Sequence, residues 1–124
     1  MPTNEAAIEK EIQDKGLNAP RLTPALIDSV IAGEYYFTAE EGVQGAFGKQ
    51  DELTRLTGAH GELGLLTFCV LVLKNGFTVT GESACASAEN FNEEIGRKIA
   101  RDNARGKIWM LEGYLLRQRL HEAN

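Results

Sequence analysis

Three arginines stand four residues apart, at Arg97, Arg101 and Arg105, with Lys98 beside the first. On a helix this spacing aligns them as one basic ridge. A row of guanidinium groups suits phosphate, through charge-assisted and often bidentate hydrogen bonds. Upstream, Ser87-Ala-Glu-Asn90 reads as the start of the same helix, with Ser87 as N-cap and Glu89 in the first turn. A helix start offers free backbone N–H groups to an anion. Earlier still, Phe77 follows the Asn75-Gly76 pair, where an aromatic face is placed to stack on a base. Each feature also has a plainer reading. The ridge reads equally as a solvated helix face with acidic partners, since Glu93 lies one turn before Arg97. Phe77 reads as an ordinary core residue of a sheet, and Ser87 as a cap with no ligand.

Other chemistries find no assembly in the sequence. A hydrolytic site needs a nucleophile with a base, paired carboxylates or metal ligands. Ser83 and Cys85 have no histidine nearby, His60 and His121 are far apart, and adjacent Glu93 and Glu94 point to different helix faces. Two cysteines and two distant histidines match no metal-ligand spacing. The glycines fit neither the dinucleotide fingerprint nor the phosphate loop. No catalytic residue, metal or cofactor is expected, and Cys69 and Cys85 are expected as reduced thiols.

The elements that must position these residues are a hairpin and a helix. Leu65 to Leu73 is apolar and β-branched, Phe77 to Thr80 alternates, and Asn75-Gly76 between them is expected to supply the positive φ angles of a tight turn. From Ser87 the apolar positions Phe91, Ile95, Ile99 or Ala100, Ala104, Ile108, Leu111 and Leu115 recur every three or four residues, the mark of one helix face. Such a helix of ~34 residues is ~50 Å long, more than a small sheet covers. Either Gly106 breaks it, or its far half, with Trp109, Met110 and Tyr114, packs on another subunit. Upstream, Glu5 to Lys15 predicts a short helix ending at Gly16. Thr23-Pro24 opens a second one, running to near Gly33. Glu34 to Thr38 is aromatic and β-prone, a third strand for a hairpin that would be marginal alone. Residues 39–64 read as a glycine-rich loop, with a short helix at Asp51 to Leu56. The expectation is one α+β domain over 1–124. It has N-terminal helices at 1–33, a three-stranded antiparallel sheet with an Asn-Gly hairpin, and a 65–124 core of hairpin plus long C-terminal helix.

The net charge of −5 argues against bulk nucleic-acid binding. Its distribution is uneven: Arg97 to Arg119 carries seven bases against two acids, while the residues before Arg97 carry six bases against fifteen acids. No apolar run approaches the ~20 residues of a membrane helix, and the start lacks the basic-then-apolar pattern of a signal peptide.

Three motifs in the second half of the chain carry a resemblance. They are Asn75-Gly-Phe-Thr-Val-Thr-Gly-Glu-Ser-Ala-Cys85, Glu89-Asn-Phe-Asn-Glu-Glu-Ile-Gly-Arg-Lys-Ile-Ala100, and Ala104-Arg-Gly-Lys-Ile-Trp-Met-Leu-Glu-Gly-Tyr-Leu-Leu116. In that order they resemble a family of small tailed-phage proteins. That family is similar to the Thoeris anti-defence proteins that sequester cyclic ADP-ribose signals, and more loosely to phage sponges for cyclic oligonucleotides. The resemblance implies a protein of the host cytoplasm that binds a cyclic nucleotide signal without cleaving it; the overlong C-terminal helix points to a homo-oligomer. The resemblance also implies a pocket in which Phe77 stacks on a base and Ser87 supplies a polar contact; the helical spacing of Arg97, Arg101 and Arg105 adds phosphate-holding groups, and Asn90 is a further ligand-binding candidate. The departure at Ser87, often Asn or Asp in relatives, would alter one hydrogen bond or the ligand that fits. The other reading is a phage adaptor or inhibitor of a host enzyme that uses the acidic body as its surface.

Overall fold

The middle strand sets the architecture. In β2 (Leu66–Leu73) alternate residues Thr67, Cys69, Leu71 and Leu73 are buried while their neighbours are half-buried, because side chains on a strand point alternately to opposite faces. It is flanked by β1 (Ile31–Thr38) and β3 (Thr78–Ala84), both antiparallel, in the order β1-β2-β3. Tyr36 pairs with Cys69, which pairs with Gly81 on the far side, so these three share the buried face. This is a computed structural model, and it describes residues 2–48 and 61–124.

The helix α4 (Glu93–Ala123, 31 residues) lies on that face. Its buried side is Gly96, Ala100, Ala104 and Ile108, and the small residues have a counterpart in the sheet. A Cβ on Gly81 would fall 2.3 Å from both the Ala100 carbonyl oxygen and the Ala104 nitrogen, so only glycine lets α4 sit directly on β3. Ile95 and Ile99, expected on the buried side, are 56% and 46% exposed. They stand one residue off the small-residue row that makes the contact. Helix and sheet also meet at Gly96, less tightly, where an added Cβ would lie 3.1 Å from the Thr67 hydroxyl oxygen. That hydroxyl is buried and has no hydrogen-bond partner among the described residues. Gly106 does not break the helix; it faces open space and is flanked by good helix formers.

Four expectations are corrected. The long helix does not begin at Ser87. Ser87 precedes a 3-10 turn (Ala88–Asn90), Phe91 and Asn92 are extended, and α4 starts when the Asn92 side chain accepts from the Ile95 N–H at 3.0 Å. The 39–64 stretch is not loop throughout. Thr38 and Glu41 form a reciprocal capping box that launches α3 (Ala39–Phe47), and Glu62–Leu65 is a 3-10 turn. The helix expected at Asp51 to Leu56 lies outside the described residues. The second helix, α2 (Pro24–Ser29), has the Thr23 cap and proline start expected but stops at Val30, because Ile31 already pairs with Leu73. In the hairpin turn only Gly76 has positive φ, at 90°. Asn75 instead accepts from the Phe77 N–H through its side chain, at 3.0 Å. The Gly76 N–H bonds the Leu73 carbonyl and the Leu73 N–H bonds that of Phe77, which makes a three-residue loop. The N-terminal helix α1 (Pro2–Asp14) starts before the expected Glu5 and ends before Gly16 at φ 64°.

Candidate functional site

The six residues expected in one pocket are distributed over three places. Phe77 stands at the hairpin turn. Ser87 and Asn90 lie beyond the other end of β3, a strand of seven residues that spans ~23 Å at 3.3 Å per residue. The arginines run along the α4 flank that faces β1 and α2.

That flank is occupied. Arg101 binds Glu34 of β1 through Nε at 3.1 Å and Nη2 at 2.9 Å, and Glu34 also accepts from the Tyr36 hydroxyl at 2.8 Å. The guanidinium beside it holds the Glu34 carboxyl below the usual carboxylate range, and burial together with the Glu34 bond pushes the Tyr36 phenol up. Arg105 binds Glu5 of α1 through two nitrogens, at 2.7 and 2.9 Å, and Asp28 of α2 at 2.7 Å. These contacts raise the Arg105 pKa, the Glu5 bonds most of all. Arg97 lies over the Tyr36 ring, 5.8 Å from its centroid, and pairs with Glu93 at 3.5 Å. The ridge is therefore a clamp that ties α4 to β1, α2 and α1. Its partners Glu5, Asp28 and Glu34 lie 67 to 100 residues away in sequence, beyond any local pattern.

Near Ser87 a cleft of about 330 Å³ is lined by Ser83, Cys85, Asn90, Asn92, Phe91 and Ile95, among others. Asn90 faces it. Ser87 is not part of its lining, and its hydroxyl donates to Glu89 at 2.8 Å. The Cys85 thiol donates to the Ser87 carbonyl at 3.2 Å. The α4 N-terminus carries Glu93 and Glu94 in its first turn, paired one turn on with Arg97 and Lys98, so its dipole already has acidic partners.

The hairpin end has the opposite character. An open cleft of about 480 Å³ lies between the turn, α2 and the far half of α4, within the size range of small-ligand sites. Leu26, Val30, Leu73, Leu111 and Leu115 give it apolar walls, and the Lys74 N–H, bonded to the Val30 carbonyl at 2.9 Å, fixes the turn against α2. Phe77 lines it and is 56% exposed, so it is not a core residue. Lys74 and Arg119 line it too, and neither side chain has a hydrogen-bond or ion-pair partner among the described residues. Glu112 stands on the same wall. Free cations beside an exposed aromatic and apolar walls can hold an anionic group and a planar ring together. The sequence reading missed Lys74, Glu112 and Arg119. A signal for Arg119 existed: it continues the Leu111, Leu115 steps of four, and an unbroken α4 carries that row to the hairpin turn.

Among the described residues no group of His, Cys, Asp and Glu could hold a metal ion, and no helix is long and apolar enough to cross a membrane. The chain belongs to the phage protein (N4 Gp49/phage Sf6 gene 66) family, which matches it over residues 22–120. No curated protein and no solved structure matches it.

Proposed function

We propose that the protein is an anti-defence sponge: it binds a cyclic nucleotide immune signal, a cyclic ADP-ribose isomer or a cyclic oligonucleotide, and holds it intact. The observation that carries this reading is the hairpin cleft, whose lining brings exposed Phe77 together with two cations of unpaired side chain, Lys74 and Arg119. A base stacks on Phe77, and phosphate oxygens are held by Lys74 and Arg119. The paired arginines of the clamp take no part in contacting the ligand. A sponge acts by mass action, so it needs a dissociation constant near or below the signal concentration and no turnover. The proposed setting is the host cytoplasm, with the chain as a homo-oligomer. Met110 and Tyr114 support the assembly, because they are 76% and 75% exposed on the outer side of α4.

Calorimetry with cyclic ADP-ribose isomers and cyclic di- and trinucleotides tests the reading, followed by heat release and mass spectrometry of the bound compound. Binding of one member, recovered unchanged, is the expected result. Absence of binding across the panel overturns the sponge. The adaptor or inhibitor reading then takes its place, with the acidic body as its surface.

A further inference from the structure

The helix α1 is attached to the rest of the chain differently from every other element. Among its described side chains none joins the buried core, and Ile8 is exposed. Two carboxylates fasten it. Glu5 bonds Arg105 at 2.7 and 2.9 Å and accepts from the Trp109 Nε1–H at 3.3 Å. Glu9 bonds Arg21 through both oxygens at 2.8 Å. A gap of about 410 Å³ separates α1 from the start of α2, lined by Ala6, Glu9 and Lys10 on one side and Thr23, Pro24 and Ala25 on the other. The stretch matched by the family begins at Leu22, after α1 and Arg21. The ordered α2–α4 scaffold thus stands on its own apolar core, and α1 lies over it on ion pairs.

We propose that α1 is a releasable strap, and that the surface under it, Arg105 with Trp109, is a docking point for a carboxylate presented on a helix of a partner protein. Glu5 is the resident occupant. The guanidinium fork and the indole N–H converge on one planar carboxylate, a geometry that a second helix can copy by placing a Glu at the same height. No described side chain of α1 joins the buried core, so exchange of one carboxylate for another decides occupancy. Asp28 stays on the Nε side of Arg105 in both states and limits the site to a single carboxylate rather than a polyanion.

Trp109 is the only tryptophan, so its fluorescence reports the strap directly. In the full chain carrying E5Q and E9Q, acrylamide quenching of Trp109 should rise severalfold and its emission should shift to the red, while the cooperative melt of the scaffold persists. The control K10A, which loses only the pair with Asp14 within α1, should leave Trp109 covered. A synthetic peptide of residues 2–16 added to the E5Q/E9Q chain should restore protection, and the same peptide with Gln at position 5 should not. Unchanged quenching in E5Q/E9Q, or equal exposure in K10A, overturns the strap. Exposure that the peptide does not reverse, or that both peptides reverse alike, overturns the carboxylate docking point.

Discussion

The hairpin cleft and the arginine flank of α4 both gather positive charge, yet only one of them has charge to offer. On the flank, Arg101 and Arg105 are met by Glu34, Asp28 and Glu5 at 2.7 to 3.1 Å, and their side chains are mostly covered. In the cleft, Lys74 and Arg119 face open space beside an exposed ring. A phosphate arriving at the flank must first displace a carboxylate already making charge-assisted bonds, an exchange with little net gain because each such bond is worth ~1.5–3 kcal/mol. At the cleft it displaces water. Local charge density is thus a poor guide to binding, and the number of unspent donors is a better one.

The contrast depends on α4 lying flat on β3, and the largest effect should come from lifting it. Replacing Gly81 with Val puts a branched side chain where even a Cβ meets Ala100 and Ala104 backbone at 2.3 Å. Overpacking of this kind costs about 3 kcal/mol, the upper part of the usual range. Chemical denaturation should show that loss, and cyclic nucleotide binding should fall with it; an unchanged midpoint would mean the helix–strand contact is looser than described.

Next in size is a direct contest between the two regions. Phe77→Ala with Arg119→Ala removes one stacking surface and one free cation, each worth ~1–3 kcal/mol. Together they should weaken ligand binding about a hundredfold or more, since 1.4 kcal/mol is tenfold. Arg101→Ala alone should leave affinity within the error of calorimetry. If the arginine variant loses binding and the cleft variant keeps it, the assignment of the two regions is reversed.

The same Arg101→Ala substitution should instead register in stability. The pair with Glu34 is about two-thirds covered and Glu34 keeps its bond to Tyr36, so a loss of about 1 kcal/mol is expected, read as a drop in Tm. No change would make the flank an idle solvated face rather than a clamp.

The smallest effect is an acid one and concerns α1. Hydrogen bonds from Arg21, then Gln13, lower the Glu9 pKa from 4.5 to about 2. A carboxylate depressed in the folded state stabilises fully above its unfolded value and loses that contribution as pH falls through the folded one. The stability difference between the unmutated chain and Arg21→Ala should therefore be flat above pH 4.5 and should close as pH drops to about 2. A difference that does not change across that window would remove Glu9 from the attachment of α1.

Much of the fold was legible from local pattern. The Asn75-Gly76 turn, the Thr23-Pro24 helix start, the aromatic third strand and the long C-terminal helix each follow from signals confined to a few neighbouring residues. The misreadings share a cause. Ser87 resembles an N-cap as well as Asn92 does, but only Asn92 has its side chain in reach of a helical N–H. The capping box of Thr38 and Glu41 was equally local and outweighs Gly42 and Gly45, whose weak helix propensity suggested loop. Gly81, with Ala100 and Ala104, carried its meaning only as a set, since a glycine in a strand reveals its purpose when the element that approaches it is known.

The sequence by itself determined an acidic α+β domain with a basic final helix, and a row of arginines at helical spacing. Only the tertiary structure decided which charges were spent. Pairing depends on carboxylates brought from Glu5, Asp28 and Glu34 across 67 to 100 residues, and that distance is closed by the burial of apolar side chains on β2 and α4, not by anything in the arginines. The same burial lays an unbroken α4 along the sheet until Arg119 stands beside the turn that carries Lys74 and Phe77, because helix rise and strand rise, and not chain proximity, fix which residues become neighbours.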